Sequence, residues 1–217
     1  MGSLLHFWQQ GDAITCGVAA VLLLMSISAW VLIFWKGWLL RRVRFDVERA
    51  VPAFWAAPSL DAGREQLAAF DREAVLSPLL AAATAHPTGD TLEARGQVAS
   101  QLTRRLRDAL HRVLSQLQFG QVVLASIGST APFIGLFGTV WGIYHALVGI
   151  SAAGSMTIER VAGPVGEALV MTAAGLAVAI PALFGYNWLA IQIKNVSADT
   201  QVFADEFLTK AAELHSV

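Results

Sequence analysis

Three long stretches of this 217-residue chain contain no charged residue, and they limit what it can fold into. They cover residues 13–35, 113–158 and 168–193, which are runs of 23, 46 and 26 residues. About 20 apolar residues in a helix span the hydrocarbon core of a bilayer, and a water-facing surface does not stay uncharged over such lengths. The sequence therefore predicts an integral membrane protein.

The composition excludes several other classes of protein. Only 14% of the residues are charged, against about a quarter in soluble domains. A net charge of −1 gives no basic field for nucleic acid. Cys16 is the single cysteine, and no Cys/His cluster, phosphate-binding loop or serine-nucleophile elbow is found. We expect no metal, no cofactor and no enzymatic activity, which leaves the movement of an ion or proton across the membrane.

The first uncharged run ends at an aromatic and basic boundary. Trp35 and Trp38 are followed by Arg41, Arg42 and Arg44. Tryptophans at headgroup level and a basic cluster beyond them are typical of the cytoplasmic end of a membrane helix. The N-terminus is therefore predicted to face the periplasm.

The fold class predicted is an all-α integral membrane protein with three transmembrane helices. Helices two and three exceed the roughly 30 Å hydrocarbon thickness, so they should extend into the cytoplasm, where the C-terminus also lies. The predicted segments are a periplasmic N-terminus (1–12), transmembrane helix 1 (13–38), a cytoplasmic helical domain (39–121), transmembrane helix 2 (122–150), a periplasmic turn (151–160), transmembrane helix 3 (161–193) and a cytoplasmic helical tail (194–217).

Two start signals predict helices inside the cytoplasmic domain. Pro52 is expected to break the chain, and Ser59 to cap a helix that continues through Val75. Asp90 is a second candidate N-cap, and no proline follows it before Pro132. The second membrane helix is therefore predicted to begin in the cytoplasm and to continue without a break.

Helix two carries a stripe of small residues. Gly128, Gly135, Gly142 and Gly149 are seven residues apart, and Gly138 forms a Gly-x-x-x-Gly pair with Gly142. Seven residues nearly close two helical turns, so the stripe lets another helix approach closely in lipid. The stripe could pack against helix three of the same chain, against another subunit, or against both.

Four polar residues inside the predicted membrane segments are candidates for a proton pathway. Glu167 is an acid within helix three, and such an acid marks a functional site unless it serves only assembly. His145 could lie at the same depth, although a histidine near the interface is more often a solvated or interfacial side chain. Thr139 and Thr172 are also matched in depth, although a membrane threonine commonly bonds its own backbone.

The motifs of helices two and three are dense and specific. They read IGLFGTVWGI at 134–143, VAGPVGEAL at 161–169, AIPA at 179–182 and YN at 186–187. This set resembles the MotA/TolQ/ExbB proton-channel family, and within it the ExbB branch. TolQ shares most of these motifs. MotA has four membrane helices and a larger cytoplasmic domain.

The resemblance implies a role in converting the proton motive force into motion at the Gram-negative inner membrane. ExbB-type proteins form homopentamers around the membrane helices of ExbD chains, each with an essential aspartate, and they energise TonB for uptake of iron-siderophores and vitamin B12. The polar pore positions of the family match Thr139, Thr172 and Glu167. The alternatives are a TolQ-type subunit of the Tol-Pal system and a non-conducting membrane scaffold.

Overall fold

The secondary structure is α-helical, with turns between the helices, in the part of the chain that the structure, a computed structural model, describes. That part comprises residues 13–85, 98–153 and 158–215. The helices are α1 (Ala13–Ala56), α2 (Leu60–Phe70), α3 (Ser77–Thr84), α4 (Val98–Gln118), α5 (Gln121–Ala153) and α6 (Ile158–His215).

Three of these helices are long and apolar enough to cross a membrane. The apolar stretches lie within Ala13–Ala56, Gln121–Gly149 and Ala162–Lys210. A helix suits this setting because it satisfies its backbone N–H and C=O groups internally, where lipid offers no partner. The prediction of an all-α protein with three transmembrane helices is confirmed. The side of the membrane on which each end lies stays a prediction.

Helix α1 continues well past the predicted membrane boundary at residue 38. It runs to Ala56 and contains Pro52, which we expected to break the chain. A proline removes one backbone N–H and crowds the carbonyl four residues before it. Pro52 is exposed and lies in the last turns of α1, so few helical hydrogen bonds are affected. The prediction of a break at Pro52 was wrong.

The expected continuous helix leading into the second membrane segment is also wrong. Helix α4 ends at Gln118, and Gly120 adopts a φ of 93° before α5 begins. This left-handed conformation favours glycine because a Cβ would clash with the backbone. The start signal at Asp90 lies outside the described residues. Helix α6, in contrast, is a single helix of 58 residues that joins the predicted third membrane helix to the tail.

The N-cap predicted at Ser59 is confirmed, but the length of its helix is not. The backbone N–H of Ala62 donates to Ser59 Oγ at 3.3 Å. Helix α2 ends at Phe70, so Val75 lies beyond it in a turn.

The chain divides into two compact units. The apolar unit comprises the chain up to Trp35 together with Gly120–Trp188, and the polar unit comprises Lys36–Phe119 and Leu189–Val217. Exposed side chains of the apolar unit are largely hydrophobic, as with Phe133 and Phe184, of which 71% and 73% are exposed. Such a surface suits lipid or protein partners rather than water.

In the polar unit, Lys36 stabilises the end of α4. Its ammonium donates to the backbone carbonyls of Gln116 and Leu117, each at 3.3 Å, and lies 5.9 Å from the ring centroid of Phe119. Only 3% of Lys36 is exposed. The last carbonyls of a helix have no partner within it and carry partial negative charge. The buried cation therefore caps α4.

Within the polar unit, aromatic side chains of α1 pack against aromatic side chains of α6. The ring of Phe54 lies 5.4 Å from that of Phe203 and 6.4 Å from that of Phe207. The ammonium of Lys210 lies 4.4 Å from the Trp55 ring centroid. The rings of Phe54 and Phe203 meet edge to face, and such a pair adds stability beyond the area it buries.

The turn between α2 and α3 is built around the carboxylate of Asp71. Its Oδ1 accepts from the N–H of Val75 at 2.8 Å, and its Oδ2 accepts from the N–H groups of Leu76 and Ser77 at 3.0 and 2.6 Å. The hydroxyl of Ser77 donates to the same Oδ2 at 2.6 Å. The N–H groups at the start of α3 therefore find their acceptor in one buried side chain.

We expect Asp71→Ala to loosen this turn and lower the stability of the polar unit by about 1–3 kcal/mol, because buried N–H donors lose their acceptor. Limited proteolysis of the purified full chain should show faster cleavage between α2 and α3. Asp108→Ala, which removes an exposed carboxylate on α4, is the matched control. Equal cleavage of both variants would contradict a structural role for Asp71.

Candidate functional site

Helices α5 and α6 meet backbone to backbone. A methyl group at Gly135 would lie 2.6 Å from the carbonyl oxygen of Met171 and 3.1 Å from Gly175 Cα. A methyl group at Gly175 would lie 2.7 Å from the carbonyl oxygen of Ala131. The two distances to carbonyl oxygens are below any ordinary contact of a Cβ atom, so only glycine allows the two helices to lie this close.

The contact continues along the glycine stripe in both directions. A methyl group at Gly128 would lie 2.6 Å from the side chain of Leu183, and one at Gly142 would lie 2.9 Å from the Cβ of Ala168. From Gly128 through Gly135 to Gly142, the positions along α5 rise. Their contacts on α6 fall from Leu183 through Gly175 to Ala168. This series fixes the antiparallel register of the two helices and aligns the polar residues that lie between the contacts.

Gly138, which lies beside the stripe, and Gly149, its last member, have different surroundings from these three glycines. A methyl group at Gly138 would lie 3.0 Å from Val18 of α1 and 3.1 Å from Met171. A methyl group at Gly149 would meet no atom of the described residues within 4 Å.

Of the two kinds of packing left open by the sequence, the contacts within one chain are present at Gly128, Gly135 and Gly142. Packing between subunits stays a prediction.

Thr139 and Thr172 are brought together by this register. Their hydroxyl oxygens lie 3.3 Å apart, and Thr139 Oγ1 also lies 2.6 Å from the carbonyl oxygen of Leu136, to which it can donate. Thr139 is buried at 5% exposure, and Thr172 is half-buried. The hydroxyl of Thr139 therefore contacts both its own backbone and the neighbouring helix.

Glu167 lies on α6 beside Ala168, which contacts Gly142. Its side chain is exposed, as are those of Leu169 and Val170, at 58% and 61%. Among the described side chains of the apolar unit, Glu167 is the one carboxylate. It therefore lies on a face that the described helices leave uncovered.

His145 lies three residues beyond Gly142 on α5, near the level of Glu167 in this register. Its ring lies 5.4 Å from that of Trp141 and 6.1 Å from that of Tyr144, and it is exposed. The structure thus places His145 within an aromatic group on its own helix.

The chemistry of this arrangement is limited and specific. A carboxylate binds and releases a proton, whereas a hydroxyl holds water or a hydrogen bond without ionising at ordinary pH. Glu167 can therefore change charge, and the Thr139–Thr172 pair can hold a polar spot between two apolar helices. A single acid does not form a proton path, so water or an acid from another chain is needed to complete one.

Replacing Thr139 or Thr172 with valine should reduce function only partly, because each change removes a hydroxyl but no charge. Valine has nearly the same shape, so the close packing of α5 and α6 should persist. Complementation of growth in cells lacking the native protein would measure this, with the amount of folded protein extracted from the membrane as the check on folding. Ser126→Ala is a matched control, since that hydroxyl donates to its own helix at Val122. Full loss of growth with either valine would contradict the expected partial effect.

Sequence reasoning missed the contribution of α1 to this region. Val18 packs on Gly138, and the side chain of Ile33 contacts Gly185 of α6. Both glycines are visible in the sequence. However, the uncharged run of α1 shows no periodicity that singles out these partners. The one usable signal in the sequence was that α5 and α6 each carry a glycine, Gly138 and Gly185, where another membrane helix can approach closely.

The sequence pattern of the MotA/TolQ/ExbB proton channel family matches residues 71–201, which include Thr139, Glu167 and Thr172. The chain belongs to this family. It is 39% identical to the biopolymer transport protein ExbB of Neisseria meningitidis serogroup A, over 92% of each chain. It is 40% identical to ExbB of Xanthomonas campestris pv. campestris, over 90% of this chain and 81% of the relative. It is 30% identical to the Tol-Pal system protein TolQ of Haemophilus influenzae, over 88% of this chain and 86% of the relative.

Membership in the MotA/TolQ/ExbB family agrees with the three apolar helices. Together they make this chain a multi-pass protein of the Gram-negative inner membrane with a transport role. The individual roles of Glu167, His145, Thr139 and Thr172 stay predictions.

Proposed function

We propose that this chain is the ExbB-type subunit of a TonB-ExbB-ExbD complex, a motor or channel driven by the proton motive force. In this proposal a homopentamer encloses the membrane helices of ExbD-like partners, and the complex energises TonB for outer-membrane uptake of iron-siderophores and vitamin B12. The ExbB relatives match nearly the whole chain at 39% and 40% identity, and they support the ExbB branch.

The observation that carries the proposal is the position of Glu167. It is an ionisable group on an uncovered face of an otherwise apolar bundle. A carboxylate facing lipid costs several kcal/mol unless it is protonated, paired or hydrated. A pore shared between copies would provide water, and an acid on a partner helix would provide the second carboxylate that this chain lacks among the described side chains of its apolar unit.

Two other functions remain as alternatives. A TolQ-type role in the Tol-Pal system is supported by the 30% identity to TolQ of Haemophilus influenzae. A non-conducting scaffold would use the glycine stripe and Glu167 for assembly alone. We also propose that this chain is not an enzyme. Neighbouring genes for TonB and ExbD, as opposed to TolR and TolA, would favour the first function.

Complementation separates the three functions. The chain would be expressed with its own ExbD-like partner in a strain that lacks both native systems. We expect growth on an iron-siderophore without recovery of detergent resistance, which reports Tol-Pal function. Recovery of detergent resistance alone would support the TolQ role. An intact oligomer that restores neither would support the scaffold.

The orientation proposed here places the polar unit in the cytoplasm, because its arginines follow the inner end of the first membrane segment. A cysteine at Ala85, an exposed residue just after α3, tests this with Cys16 first replaced by serine. We expect an impermeant thiol reagent to label it only after the inner membrane is opened. Efficient labelling in intact spheroplasts would contradict the orientation.

A further inference from the structure

An exposed face of α1 alternates aromatic and basic side chains directly after the first predicted membrane segment. Trp38, Arg41, Phe45 and Arg49 recur at helical spacing and all are exposed, the two rings at 60% and 50%. These four residues are called the aromatic–arginine face below. Large exposed rings interleaved with cations are unusual on a water-facing helix, and they indicate that a ligand covers part of this face.

The arginines near this face differ in how their charge is balanced. The Nε of Arg44 donates to Glu48 Oε1 at 2.9 Å, and the Nε of Arg42 lies 3.8 Å from Glu73 Oε1. Arg41 has neither an ion pair nor a hydrogen bond among the described residues. Its positive charge is therefore available to an anion.

The rings prepare the face for a ligand that is partly apolar. The guanidinium of Arg42 lies 5.3 Å from the Trp38 ring centroid, which holds this ring in place. The guanidinium of Arg49 lies 3.8 Å from the Phe45 ring centroid. Arg49 is therefore already engaged with Phe45, whereas 60% of Trp38 stays exposed beside its contact with Arg42, one helical turn from Arg41.

Position along the helix decides which anion can reach Arg41. Counted at 1.5 Å per residue, Trp38 comes about 5 Å and Arg41 about 9 Å after Trp35, the end of the uncharged run. The headgroup layer extends for about 5–8 Å beyond the hydrocarbon core. Trp38 and Arg41 therefore fall at or next to the level of lipid phosphates, while Arg49, about 21 Å after Trp35, falls in water.

We propose that Trp38 and Arg41 form a binding site for the headgroup of an anionic phospholipid. The guanidinium of Arg41 pairs with the phosphate, and its planar fork suits bidentate contact with two oxygens. The Trp38 ring packs against the glycerol region, the amphipathic position that indoles favour at membrane interfaces. Arg42 adds a second positive charge that Glu73 partly balances.

Titration of the purified full chain in neutral detergent micelles, followed by native mass spectrometry, tests the site. The probes are dioleoyl phosphatidylglycerol and its zwitterionic counterpart, dioleoyl phosphatidylcholine. We expect the wild type to bind phosphatidylglycerol more tightly, and Arg41→Gln to lower that preference about fivefold, the effect of one basic residue at an anionic surface. Trp38→Ala should weaken binding of both lipids.

Two matched variants lose the same charge at other places. Arg49→Gln lies on the same face beyond the headgroups, and Arg72→Gln is an exposed arginine in the turn after α2. Both should keep the wild-type preference. An equal loss in all three glutamine variants, or no preference in the wild type, would overturn the proposal. So would displacement of the lipid by millimolar inorganic phosphate, since a free anion would then be the ligand.

Discussion

Replacing Glu167 with glutamine is expected to abolish energy transduction while the protein stays folded and assembled. Glutamine has nearly the same shape and keeps its hydrogen-bonding capacity, so the neighbouring contact between Ala168 and Gly142 should persist. The change removes only the ability to ionise, which a proton-coupled step requires. Siderophore-dependent growth should fall to the level of cells without the protein, and crosslinking should show the normal oligomer.

Glu206→Gln is the matched control for this experiment. It makes the same chemical change on the same helix, at an exposed position in the polar unit. Full growth with the Glu167 variant would show that its charge is dispensable. Loss of both growth and the oligomer would support a role in assembly alone.

Substitution of Gly135 is expected to have the largest effect on folding. A Cβ at this position would meet the backbone of Met171 and Gly175, which cannot rotate away as a flexible side chain can. Even Gly135→Ala should therefore force α5 and α6 apart, at about 1–3 kcal/mol or more. Gly135→Leu should leave almost no monodisperse protein after extraction, because lost packing in lipid is not offset by a hydrophobic effect.

Gly149 provides the comparison, since it belongs to the same stripe and has no described atom within 4 Å of an added methyl group. Gly149→Ala and Gly149→Leu should leave the chain foldable. Size-exclusion profiles and thermal stability in detergent measure the difference. If Gly135→Leu matched Gly149→Leu in yield and stability, the backbone contact would not be required.

The glycine stripe could be predicted from spacing, but its partners could not. A repeat of seven residues on α5 allows α6 to slide by about two turns and still find small residues opposite. The structure settles one register, in which Gly135 meets Gly175 and the hydroxyls of Thr139 and Thr172 lie 3.3 Å apart. That choice depends on the whole set of contacts between two helices, which no local pattern contains.

The ends of the helices were predicted less well than their existence. Pro52 is a strong breaker in general, yet near the end of α1 it disrupts little. Gly120 does break the chain, although one glycine in an otherwise helical pattern is a weak signal without its φ of 93°. The cap at Ser59 was predictable because it depends on neighbouring backbone alone.

Proton flux into liposomes tests the central claim, that this chain is an ion-motive subunit, most directly. The chain would be reconstituted with its ExbD-like partner, a potassium diffusion potential imposed, and internal pH followed with a trapped dye. We expect acidification that requires both proteins and falls to the background of protein-free liposomes with Glu167→Gln. An assembled wild-type complex that conducts no more than protein-free liposomes would contradict the account and leave a scaffold.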